Sequence, residues 1–333
     1  MLAGRYDTLR YREKNCSRLM ARGKAVIDRS TLVLLIVLMP VVAHGADRPE
    51  WAFPVADKVQ PPSKDDDQPK SLSGSTKSYT QVQIDDLKNP PDWFPDMHPP
   101  MPPVVAQGTA TFACGSCHLP VGTGHDESAY LAALPADYIV RQMADFKSGA
   151  RKGFGNMPAI AQALSDADIQ SAAAYFSSLS ARPWIRVVET DTVPKTYVNP
   201  GNMRLALPNG GTEPIGSRIV ELPENEAAAV ARDPRSGFVA YAPPGSIAKG
   251  QALVATGGGE TTACVICHGP ALKGVGATPA IAGRHTGYMV RQLYFFQDGS
   301  RSGPAEALMH SVVQRLTIDD MLAIAAYVAS REP

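Results

Sequence analysis

Two stretches of this chain place apolar side chains on one face of a helix. Ile139, Met143 and Phe146 recur at i, i+4 and i+7, and so do Met289, Leu293 and Phe296. That spacing predicts an amphipathic helix in each place. Downstream, Ser165 and Thr317 are N-cap residues, with Asp168 and Asp320 three positions on, where negative charge is favoured. The helices they open carry Ile169, Ala172, Ala173 and Phe176, or Met321, Ile324, Ala325 and Val328, on one face. A further helix is predicted from Ser246 to Val254; the first stretch has only a short counterpart containing Gly108. Between the two stretches the period changes. Val187-Val188, Tyr197-Val198, Arg218-Ile219-Val220 and Phe238 to Tyr241 predict short strands, among turns such as Asn209-Gly210-Gly211.

The two helical stretches are copies. Tyr138, Val140, Arg141 and Gln142 match Tyr288, Val290, Arg291 and Gln292, and Phe146, Gly149 and Arg151 match Phe296, Gly299 and Arg301, all at an offset of 150 residues. Beyond a two-residue insertion, Met157, Ser165, Asp168 and Tyr175 match Met309, Thr317, Asp320 and Tyr327. A repeat of this length predicts two similar units. The expected fold is all-α in both, with an irregular, β-containing insert between them. The expected organisation is a signal peptide over 1–46, a Pro-rich linker or strap over 47–107, one unit over 108–180, the insert over 181–245 and the second unit over 246–331. In the strap, Lys64 to Asp67 and Ser71 to Thr76 read as disordered linker. The aromatic part around Trp93 and Phe94 is expected to pack on the first unit. The insert is long for a plain connection; it either covers a functional edge or holds the units together.

The N-terminus alters the charge picture. Overall there are 32 Lys+Arg and 32 Asp+Glu. Residues 1–46 hold 8 of the basic and 3 of the acidic side chains, so the remainder is acidic by 5. A basic stretch, the apolar run Thr31 to Met39, Pro40 and small residues to Ala46 form the pattern of an export signal. Cleavage sites are Ala43, Gly45 or Ala46, and Met20 is an alternative start. The run is short for a membrane span; an uncleaved anchor is the alternative. An acidic mature chain gives no basic face for nucleic acid.

The candidate chemistry lies at the start of each unit: Cys114-Gly115-Ser116-Cys117-His118 and Cys264-Val265-Ile266-Cys267-His268. C-x-x-C-H is the pattern of covalent c-type haem attachment. Two thiols at that spacing reach the two vinyl groups, and the adjacent His supplies the proximal nitrogen. Alternatives are half of a zinc site, a thioredoxin-like pair or a structural disulfide. Zinc ribbons bring a second pair much closer than the 150 residues here, and neither other alternative explains the His. Two covalently bound haem c groups are therefore expected, which agrees with export. Met157 and Met309, in register on the loop between the two helices of each unit, are the leading sixth ligands. His310, His125, His285, His98 and Met203 are lower-ranked. Of the repeated arginines Arg141, Arg151, Arg291 and Arg301, one pair is expected to neutralise haem propionates; a solvated helix face is the alternative for each. Tyr175 and Tyr327 are expected as core contacts.

The repeated block resembles the class I cytochromes c of the c4/c553 type, and its tandem form the dihaem c4-like proteins. The resemblance covers about 108–180 and 246–331. It implies a small helical fold around each haem, with His118 and His268 as proximal and Met157 and Met309 as distal ligands. It also implies that the carbonyl of a Pro, here Pro279, orients the proximal His; the first unit has Ala129 instead. The function so implied is a periplasmic electron carrier between redox proteins. Its donor would be a dehydrogenase or quinol-oxidising complex, and its acceptor a terminal oxidase or reductase. Membrane contact would come only through a partner or an uncleaved anchor. A dihaem peroxidase, with one open or displaceable distal site, is the alternative.

Overall fold

The computed structural model describes residues 48–61, 68–153 and 155–333; the expected signal segment and Lys64 to Asp67 lie outside these. The strap begins with a hairpin, β1 (Lys70–Ser71) paired antiparallel with β2 (Ser78–Tyr79). The sequence reading of Ser71 to Thr76 as disordered is corrected here. Gly74, at φ +80°, permits the reversal, and the Arg235 guanidinium of the insert donates to Ser73 O at 2.8 Å. α1 (Gln81–Ile84) follows, closed by a capping box between Thr80 and Gln83. Trp93 is buried and donates to Ala231 O at 2.7 Å, and the Arg235 guanidinium stands 4.0 Å over the Phe94 ring, so these aromatics pack on the insert rather than on the first unit as expected; Met97 and His98, just beyond them, are what reach the first unit. α2 (Pro103–Ala106) is the short counterpart of an opening helix, but it ends before Gly108, which the sequence had placed in it.

The first unit comprises α3 (Cys114–His118), α4 (Ala136–Ser148), α5 (Met157–Ala163) and α6 (Asp166–Ser178). Ser165 caps α6 by accepting from the Asp168 N–H. Ile139, Met143 and Phe146 on α4 face Ile169, Ala173 and Phe176 on α6, and Val104 and Val105 of α2 close the same core.

The insert runs through β3 (Ile185–Glu189), β4 (Thr192–Pro194), β5 (Thr196–Val198), β6 (Arg204–Ala206), β7 (Thr212–Pro214), β8 (Val220–Pro223), α7 (Glu226–Val230) and β9 (Phe238–Ala242). β3 and β9 pair in parallel, and β8 joins β9 antiparallel. Parallel neighbours need a long crossover, which accounts for the length of the insert. β4 with β7 and β5 with β6 form two small antiparallel pairs within that crossover.

The second unit comprises α8 (Ser246–Thr256), α9 (Val265–His268), α10 (Thr286–Gln297), α11 (Ala307–Val313) and α12 (Ile318–Ala329). Thr317 and Asp320 form a capping box on α12. Met289, Leu293 and Phe296 pack against Met321, Ile324, Ala325 and Val328. α8 crosses α12 with Gly250 against Ala323, where a Cβ would stand 2.0 Å from the Ala323 carbonyl oxygen. The named elements of both repeated units are thus helices, while the insert and strap combine strands with the short helices α1, α2 and α7.

Met157 opens α5 and Met309 lies inside α11, so both stand on short helices rather than the loops expected. Pro158 at the start of α5 and Pro304 just before α11 preset a helical φ, and the alanines after them favour continuation.

The units meet through the repeated residues themselves. Arg151 donates to Gln142 Oε1 at 2.7 Å in its own unit and to Gln292 Oε1 at 2.9 Å and Tyr288 Oη at 3.0 Å in the other. Arg301 does the same with Gln292 at 2.9 Å, Gln142 at 2.7 Å and Tyr138 at 2.8 Å. The backbones join too: Lys152 N–H donates to Ser300 O and Ser302 N–H to Ala150 O, both at 2.8 Å. Arg141 reaches Ala277 O at 3.2 Å, and its match Arg291 donates to Asp126 O. The four repeated arginines therefore bind protein atoms across the junction, Arg151 and Arg301 reciprocally and Arg141 and Arg291 through unmatched carbonyls. Neither expectation for them had included this role.

Candidate haem-binding cavity

Each C-x-x-C-H segment forms a single helical turn, which brings its two thiols and its imidazole to one side. Cys114, Cys117, His118 and Met157 line one apolar pocket. Cys117, His118 and Met157 also line a larger cavity, about 560 Å³, together with Cys264, Cys267, His268 and Met309. That cavity is continuous across the junction and is also lined by Tyr138, Tyr288, Gln142 and Gln292.

His118 Nδ1 lies 2.8 Å from Ala129 O, and His268 Nδ1 lies 2.8 Å from Pro279 O. A carbonyl can only accept, so in both rings Nδ1 carries the proton and Nε2 keeps its lone pair. Burial holds both imidazoles in the neutral form, pulling His118 down to about 4 and lowering His268 as well. Burial also pushes the free thiols up, Cys114 to about 12 and Cys264 to about 11. A neutral ring with a fixed tautomer is the form in which histidine ligates a metal. Paired thiols, a free Nε2 and a thioether on shared, largely apolar walls are a donor set that fits haem c in each unit. Among the described residues no group of three or more His, Cys, Asp or Glu comes together as a metal cluster, so the two Cys pairs do not assemble as a zinc site.

The lower-ranked ligands are engaged elsewhere. His310 is exposed, with Nδ1 3.0 Å from Phe296 O. His285 pairs with Glu221, His98 with Asp92 at 3.2 Å, and His125 with Glu127 at 3.1 Å. Met203 packs partly buried beside the first core. Tyr175 is buried and donates to Pro120 O at 2.6 Å; Tyr327 is half-buried against the second core.

The two motifs differ in cover. In the first, Ser116 is 2% and Thr123 0% exposed; at the matched positions of the second, Ile266 is 70% exposed and Lys273 is exposed. Arg232 of the insert donates to Ser116 O, Trp184 of the insert to Gly124 O at 3.3 Å, and Val105 of α2 lies against Gly115. Pro270, Ala271 and Val275 after the second motif stand exposed, as does Leu308.

Residues 247–332 match the family described as cytochrome c, and residues 104–176 match that described as cytochrome c oxidase, cbb3-type, subunit III. Cytochrome c-554(548) of Halomonas halodenitrificans is 34% identical over 79 residues, which span 95% of that protein and 23% of this chain. The chain belongs to the class I cytochromes c of the c4/c553 type. The thiosulfate dehydrogenase electron acceptor of Thiomonas intermedia is 29% identical over 66% of this chain and 78% of its own length. Cytochrome c4 of Azotobacter vinelandii is 26% identical over 67% of this chain and 86% of its own length. Two cytochrome c domains imply covalently bound haem c. No helix among the described residues is long and apolar enough to cross a membrane.

The sequence pointed to the thiols, histidines and methionines by motif and register. It did not point to the junction role of Tyr138, Gln142, Tyr288 and Gln292, although their repetition was a visible signal.

Proposed function

We propose that the protein is a periplasmic dihaem electron carrier. Cys114 and Cys117, and Cys264 and Cys267, hold one haem c each through thioethers. His118 with Met157, and His268 with Met309, are the axial ligands. The observation that carries this reading is the single cavity lined by both His/Met pairs with Cys117, Cys264 and Cys267. Haem supplies a one-electron iron couple, and a His/Met set makes that couple an electron-transfer centre. The chain's own residues do the rest. Ala129 O and Pro279 O fix the histidine tautomers, the apolar walls exclude water, and the junction residues keep the two sites at a constant separation. Transfer is outer-sphere, and no substrate bond is broken.

The unequal cover of the motifs supports a direction. The second domain meets the redox partner through its exposed motif edge, and the first exchanges electrons through the second. The relatives named for accepting electrons from thiosulfate dehydrogenase make a periplasmic dehydrogenase the favoured class of donor.

The test is the absorption spectrum of the oxidised holoprotein extended into the red, scaled by haem content. Two haems per chain, low-spin, with the charge-transfer band of Met–Fe(III) at twice the intensity for one site, is the expected result. One haem, or a half-intensity band with a high-spin component, overturns it and favours a peroxidase-like site.

A further inference from the structure

Arg284 breaks the symmetry of the repeat. Its match in the first domain, 150 positions earlier, is Leu134. The side chain lies just before α10 and crosses the junction. Its guanidinium stands over the Tyr130 ring, 4.3 Å from the centroid, and Nη1 reaches Ala132 O at 3.5 Å. Both of these partners belong to the first domain.

Arg284 is 4% exposed, yet Nε and Nη2 have no hydrogen-bond partner among the described residues, and none of their carboxylates pairs with it. A guanidinium has five N–H donors and no acceptor. A buried charge is retained only when something matches it. Burial does pull this group down, to about 10, but it stays protonated at neutral pH. Arg284 lines the same cavity as His118 and His268.

We propose that Arg284 is the binding site for a propionate carboxylate of the first domain's haem. The inference rests on the two-haem reading above. Propionates are the carboxylates that haem carries, and a carboxylate meets a guanidinium edge with two parallel hydrogen bonds. The first domain's haem is the source because Tyr130 adjoins Ala129, whose carbonyl receives the His118 Nδ1–H. Leu134 offers the second haem no reciprocal charge. Two haems with the same ligand types thus sit in different fields. A fixed positive charge beside one of them opposes the extra charge of its ferric state and raises its potential.

The experiment is a spectroscopic redox titration of the holoprotein and of Arg284→Leu, which gives the second domain the residue of the first. Haem content is measured on each sample. The background carries Cys264→Ala, which leaves one vinyl group of the second haem unreacted and so marks that haem by its shifted absorption. The expected result is a lower potential for the unmarked haem, a smaller change for the marked one, and recovery in Arg284→Lys. Arg284→Gln replaces the Leu variant if the latter does not fold. A larger fall at the marked haem assigns the propionate to the second domain and overturns the proposal. So do unchanged potentials with two haems present, the outcome if Arg284 only stacks on Tyr130. Fewer than two haems in the protein with native Arg284 and Cys264 overturns the two-haem reading and this inference together.

Discussion

Glu221 and His285 form a fully buried ion pair that joins three parts of the chain. The imidazole meets Glu221 Oε1 through Nδ1 and Thr123 O of the first domain through Nε2, at 2.9 Å. Glu221 Oε2, on β8 of the insert, accepts from the Thr286 N–H at 2.9 Å and its hydroxyl at 2.8 Å, at the start of α10. Every strong donor and acceptor of the pair is used, which is the condition for a buried charge pair to hold.

Stability should follow the titration of this pair. Burial alone would lower His285, but the Glu221 carboxylate, with Asp126 farther off, outweighs it and raises the group above 6.5. Burial alone would raise Glu221, but His285 and the Thr286 bonds bring it below 4.5. The histidine's contribution is full below 6.5 and is lost as pH rises through its raised value. The carboxylate's is full above 4.5 and is lost as pH falls through its lowered value. The difference in unfolding free energy between the native chain and Glu221→Gln should peak between those two pH values, at about 3 kcal/mol. A difference independent of pH would show that the pair is not charged.

The junction should fail as a unit. Replacing both Gln142 and Gln292 by Ala leaves Arg151 and Arg301 without their shared acceptors. Hydrogen bonds to a charged group contribute about 1.5–3 kcal/mol each. The double variant should unfold in two denaturant transitions where the native chain shows one. Retention of a single transition at the native midpoint would mean that the units are held by other contacts.

Gly250→Ala should destabilise the second domain far more than an ordinary Gly-to-Ala change in a helix. The added methyl would stand 2.0 Å from Ala323 O, so α8 must move off α12. A loss of at least about 2 kcal/mol is expected from such overpacking. The denaturant midpoint reads it; a gain in stability, the usual helix-propensity effect, would show that the crossing is loose.

Met157→Ala and Met309→Ala should each remove about half of the red charge-transfer band and lower one of the two potentials, since a thioether ligand raises it. If either variant keeps the full band, the distal ligand of that domain is a different residue.

Much of this structure was legible because its strongest determinants are local. The caps at Ser165 and Thr317, and the apolar faces of α4, α6, α10 and α12, depend on residues a few positions apart. What the sequence hid depends on distant partners. Ser71 to Thr76 is polar enough to pass for linker; it is ordered by pairing with β2, by the Ser75 hydroxyl on Trp93 O and by Arg235, far along the chain, on Ser73 O. Arg151 and Arg301 are charged residues that reasoning from composition sends to the surface; they are buried because the other copy supplies their acceptors. The methionine helices were missed because seven residues, about two turns, carry too few positions to show a period.

The reciprocal junction has one more consequence. Residue for residue, Tyr138, Gln142 and Arg151 meet what Tyr288, Gln292 and Arg301 meet, which is the arrangement of an isologous interface about a two-fold axis. The chain is in this sense a homodimer written as one polypeptide. The surface that holds the domains together is self-complementary. The insert raises the effective concentration of one half for the other and need not create their contact.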